Sequence, residues 1–190
     1  PRVLGHGGFA GGELYISYLD RNYAGDSLES VLHHEMIHEL DRRAGGEFRP
    51  TMLVEGLAVY HSGGHFKKEP IYPRAAALLH LGWYIPLTTL AEGFYFQQHE
   101  ITYLQAAALV EYMVERWGYE AFDAFYRDIT PPVDGKHGTA ITESLEKHFG
   151  LTLAELDSQF FVSLEDYHVP SDMADDMRIT VEFFDAVRRY

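Results

Sequence analysis

Apolar residues along most of this chain recur at intervals of three and four, the spacing of one helical face. Leu28, Val31, Leu32, Met36 and Leu40 form one such arc. It predicts a helix with that arc turned toward the core. Asp26-Ser27-Leu28-Glu29 reads as its capping box, with Asp26 as N-cap and Glu29 at the third helical position. Arg42-Arg43 and then Gly45-Gly46 mark its end. A second helix is expected from Pro50-Thr51 to Gly63-Gly64. A third covers residues 73–81, opened by a proline in its first turn. Residues 83–96 read as a mixed segment with a short helix near residues 88–91. Residues 100–117, 119–129 and 139–149 are further expected helices. Thr152 and Glu155 form a second capping box, which opens a helix to about Asp166. Val169-Pro170 breaks it, and residues 171–190 read as one or two more helices. A single strand is expected over residues 13–19, rich in Tyr and Ile. The glycine-rich stretch before it reads as a loop; no Gly-Lys-Ser/Thr is present to make it a phosphate loop. The fold class is therefore mainly α with a small β edge, an α+β arrangement.

Composition sets limits on this picture. At 190 residues, 46% hydrophobic and 14% aromatic, the chain supports one domain with a proper core. Within it, residues 1–25 form a strand and loop region, 26–64 a helix pair, and 65–190 a helical lobe. A net charge of −14 argues against nucleic acid or an anionic membrane as partner. No apolar run reaches membrane-spanning length; the longest candidate is interrupted by His80, Gly82 and Pro86. Cysteine is absent, which excludes thiolate zinc sites, cysteine nucleophiles and disulfides. That absence fits either compartment, with the balance leaning to an extracytoplasmic one. The chain begins at Pro1 rather than Met and is read as trimmed, processed or part of a longer protein.

The candidate chemistry lies in the first helix. His34-Glu35-Met36-Ile37-His38 is H-E-x-x-H. Residues four apart share a helical face, so both imidazoles can converge on one metal ion, with Glu35 offset beside them. In a chain with 11 histidines the pattern gains weight from its helix and from a third ligand downstream. Glu55, in Glu55-Gly56-Leu57-Ala58 on the second helix, is that candidate. Gly56 is expected to let the first two helices approach closely.

These residues resemble the gluzincin clan of metallopeptidases, in its aminopeptidase N-like, peptidase MA-like branch. The resemblance implies a zincin-like catalytic domain with a helical bundle after the active helix. It implies His34, His38 and Glu55 as ligands of one zinc ion per chain, and Glu35 as general base and acid. Tyr103 matches the tyrosine that stabilises the oxyanion in that clan, although Gln105 and Ala106 stand where the clan has a Lys-Gly pair. The strand before the active helix would form the cleft edge. Gly12-Glu13-Leu14-Tyr15 does not match the aminopeptidases' Gly-x-Met-Glu-Asn, so exo- and endopeptidase cleavage both stay open. The implied activity is zinc-dependent hydrolysis of a peptide or protein substrate by metal-activated water. The alternatives are a non-catalytic peptide- or protein-binding module that keeps the fold, and a structural zinc site.

Other residues carry weaker readings. Glu39 is either a partly buried acid with a partner or a carboxylate steering a ligand histidine. His33 points away from His34. His61 and His65 are four apart, a spacing that suggests a second metal, but Gly63-Gly64 interrupts it and they read as loop residues near the cleft. Trp83, Tyr84, Phe94, Tyr95 and Phe96 read as core aromatics or as pocket lining.

Overall fold

The helix that organises the molecule carries three consecutive alanines. The computed structural model describes residues 7–10, 14–17, 28–65 and 68–188. Nine α-helices lie among the described residues: α1 (Leu28–Ala44), α2 (Thr51–Ser62), α3 (Ile71–His80), α4 (Leu87–Gly93), α5 (His99–Trp117), α6 (Tyr119–Arg127), α7 (His137–Phe149), α8 (Leu153–Glu165) and α9 (Ser171–Arg188). A 3₁₀ turn, Phe94–Phe96, follows α4. Helix α5 packs against α2, α3, α6 and α9. Its Leu104, Ala106, Ala107, Ala108, Leu109, Val110 and Met113 are all buried. Buried without interruption over residues 104–110, α5 suits the centre of a helical fold.

Small residues set how closely its neighbours come. A Cβ added at Gly56 of α2 would lie 2.6 Å from the carbonyl oxygen of Ala106 and 2.8 Å from its carbon. Gly56 therefore serves the contact of α2 with α5, not the expected contact of α2 with α1. Around this pair, Phe122, Phe125 and Tyr126 of α6, Leu90 of α4, Leu145 of α7 and Phe160 of α8 complete the main core.

The predicted helix ends are largely realised. Pro50 is the N-cap of α2, and Gly63 ends it in the left-handed region at φ 77°. The capping box of α8 is complete: Glu155 N–H donates to Thr152 Oγ1 at 3.2 Å, and Thr152 N–H donates to Glu155 Oε2 at 2.8 Å. Residues 171–188 form one helix. The N-cap assigned to Asp26 lies outside the described residues. No helix among them is long and apolar enough to cross a membrane.

Two expectations are corrected. The β edge is absent: β1 (Gly7–Ala10) and β2 (Leu14–Ser17) pair antiparallel with each other and with nothing else among the described residues. Two four-residue strands make a hairpin, short of the three or more strands of an independently stable sheet. The second correction concerns the face that α1 turns inward. Leu28, Leu32, Met36 and Leu40 of the predicted arc are exposed, at 41%, 39%, 44% and 57%, and within the arc only Val31 is buried. The inward face instead carries Ser30, Val31, Glu35 and Asp41.

Polar partners explain that rotation. Asp41 accepts from Tyr126 Oη at 2.9 Å, from Arg127 Nη1 at 2.7 Å and from Arg49 Nη1 at 3.0 Å. A buried carboxylate with three donors is well satisfied, and it ties α1 to α6.

The α2–α5 contact predicts the outcome of one substitution. On an open helix surface Gly→Ala stabilises by about 1 kcal/mol. For Gly56→Ala, collision with the Ala106 carbonyl outweighs this, and a net loss of about 1–3 kcal/mol is expected in urea unfolding. Equal or greater stability would mean the helices can separate at little cost.

Candidate metal centre

One turn of α1 and the second turn of α2 meet at a cluster of three donor atoms. His34 and His38 lie four residues apart, and their Nε2 atoms are 2.9 Å apart. The rings sit edge to face, with centroids 4.6 Å apart. Glu55 comes from α2, where Pro50 fixes the helix start and Gly56 holds the next residue against α5. Its Oε2 is 3.4 Å from His34 Nε2 and 3.3 Å from His38 Nε2.

These distances suit a metal ion. Tetrahedral zinc with bonds near 2.0–2.1 Å holds its ligand atoms about 3.3 Å apart. Two imidazole nitrogens and one carboxylate oxygen are also donors that zinc prefers, and they leave a fourth position open. The residues therefore fit the group that the sequence suggests.

Electrostatics keep Glu55 ionised. Burial acts to raise its pKa, but hydrogen bonds from His34, His38 and Tyr95 together hold it well below the ordinary carboxylate range. His34 is shifted down, chiefly by burial. At His38 burial also acts downward, but Glu55, Glu35 and Asp41 outweigh it and the net shift is upward.

Glu35 is buried, and burial raises its pKa; Glu55 adds to the effect and His38 opposes it. Its Oε2 has no hydrogen-bond partner among the described residues. A buried carboxylate oxygen without a donor is costly, and water or a cation beside it would relieve the cost.

Two tyrosines complete the cluster. Tyr95 Oη donates to Glu55 Oε1 at 2.6 Å, which leaves Oε2 to the histidines. Tyr103 lies next to Tyr95, so its hydroxyl neighbours the group that holds Glu55. The Tyr103 ring lies 6.4 Å from that of His34 and stacks on His65 at 4.3 Å. Burial first, and then the Glu55 charge, push the Tyr103 hydroxyl pKa up, so it stays protonated.

All five residues singled out from the sequence, His34, Glu35, His38, Glu55 and Tyr103, thus share one region. Tyr95, one of the aromatics that read as core or pocket lining, reaches the site through Glu55. The available signal was a hydroxyl between two phenylalanines, shortly before the helix that carries Tyr103. Gln105 has a structural use: it accepts from Ile85 N–H at 2.9 Å and donates to Ile85 O at 2.5 Å. Among the described residues Glu39 bonds to neither ligand histidine. It pairs with Arg42 and Arg43, which bring its carboxyl down to about 2. His33 is exposed, and His61 meets the hydroxyl of Tyr119 at 3.2 Å. His65, read as a loop residue, is buried against Glu100, with Nδ1 and Oε2 3.0 Å apart.

Searches against protein families, curated proteins and solved structures found no match to this chain.

The Tyr95 contact can be tested without metal. Tyr95→Phe removes one of the three groups that depress the Glu55 pKa, so the carboxyl should titrate at higher pH in the metal-free variant. Carboxyl carbon NMR shifts would follow this. An unchanged titration would place the Tyr95 hydroxyl elsewhere in solution.

Proposed function

We propose that this chain is a zinc-dependent peptidase of the gluzincin type, with a zincin-like catalytic domain. The observation that carries the reading is the convergence of His34, His38 and Glu55, with donor atoms 2.9–3.4 Å apart, beside a buried Glu35 with one unpartnered oxygen. His34, His38 and Glu55 would hold one zinc ion per chain. When bound, such an ion supplies Lewis acidity and brings the pKa of water down to about 7.

The remaining work belongs to side chains. Glu35, with its raised pKa, is suited to take a proton from water and pass it to the leaving amine. Tyr103 keeps its proton and can donate a hydrogen bond to a developing oxyanion once a substrate displaces its contact with Tyr95. Tyr95 orients Glu55 through the oxygen that does not face the histidines. The substrate is a peptide or protein, and the net charge of −14 suits neutral or basic segments.

Two variants test this reading. Glu35→Gln should keep the metal and lose about 10²–10⁴ in peptide hydrolysis, the usual contribution of a general acid–base group. Glu55→Ala should lose zinc, or bind it far more weakly, in metal analysis. Turnover comparable to wild type in Glu35→Gln would remove Glu35 from the mechanism. A zinc-loaded wild type that binds peptides of a broad library without cleaving any would favour a non-catalytic binding module.

A further inference from the structure

We propose that His65, His99 and Glu100 form a second binding site for a divalent cation of the zinc class. The three residues meet where the end of α2 faces the first turn of α5. One donor atom from each lies within 4.8 Å of the others. His65 Nδ1 is 3.0 Å from Glu100 Oε2, and the two imidazole rings are 4.8 Å apart at 43°. The donor set, two imidazoles and one carboxylate, is the same as in the first cluster. A modest side-chain rotation by His99 would bring the atoms to the spacing of a tetrahedral ion.

Burial of the acid is the second argument. Arg74 contacts Glu69 through Nε at 2.7 Å and Asp176 through Nη1 at 2.7 Å. Glu69 also accepts from His65 N–H at 2.9 Å, so its carboxylate belongs to the same neighbourhood. Glu69 and the exposed Asp176 thus share the Arg74 guanidinium, while Glu100 faces His65. The side chains of Glu69 and Glu100 are only 2% and 3% exposed. A carboxylate as buried as that of Glu100 needs cationic partners, and a divalent cation held with the two imidazoles would supply one. A metal there would use both imidazoles and the Glu100 carboxylate at once.

The site has a structural consequence for its neighbour. Tyr103 lies 4.3 Å from the His65 ring and 4.4 Å from the His99 ring, measured between centroids. A cation holding both imidazoles would fix the surface on which Tyr103 rests. None of the three ligands belongs to the first cluster, so the two sites stand or fall separately.

The experiment is a zinc count on the full chain, stripped with chelator, reloaded with zinc and desalted. Wild type should carry about two ions. Glu100→Gln and His38→Ala should each carry about one. A single ion in wild type, lost in His38→Ala, would overturn the proposal. So would a second ion that survives both His65→Ala and Glu100→Gln, since it must then bind elsewhere. If Glu100→Gln does not fold, His38→Ala decides alone: one ion retained supports the second site, and none overturns it.

Discussion

The contact of α2 with α5 at Gly56 and Ala106 governs both the core and the candidate site. Glu55 immediately precedes Gly56, and Tyr103 lies three residues before Ala106. The close approach that buries the central alanines therefore also sets where the carboxylate and the tyrosine stand. Glycine is required because the obstacle is the Ala106 backbone, which cannot turn aside as a flexible side chain can. Packing and chemistry thus share one constraint.

Around that contact, buried polar groups are satisfied as sets rather than as pairs. Glu55 meets two histidines and a tyrosine, while Asp41 meets two arginines and a tyrosine. Each carboxylate is buried, and each joins α1 to another part of the fold. An unpaired buried charge would be far more costly than a fully partnered one, so these sets fix the orientation of α1 strongly. Glu35 is one exception among the described residues, with one oxygen left without a hydrogen-bond partner. That exception lies beside the converging donors, where a reactive group is most useful.

The rotation of α1 follows from the same balance. By hydrophobic pattern alone, Leu28, Leu32, Met36 and Leu40 belong inside. Burying that stripe would turn Glu35 and Asp41 toward solvent and remove Asp41 from its three donors. The helix keeps its polar partners, and the apolar stripe faces outward.

The sequence by itself determined the helical character of the chain, the ends of α2, the capping box of α8 and the H-E-x-x-H pair. These features depend on residues within a few positions of one another, where capping, proline and glycine geometry and the helical repeat act directly. Tertiary structure alone decided which face of α1 is buried, that Gly56 serves α5, that Tyr95 reaches Glu55 and that His65 meets Glu100. The last two pairs are 40 and 35 residues apart, so no local spacing marks them. The β edge failed for a related reason: a strand's residues show its propensity, whereas a sheet depends on how many partners the fold brings to it.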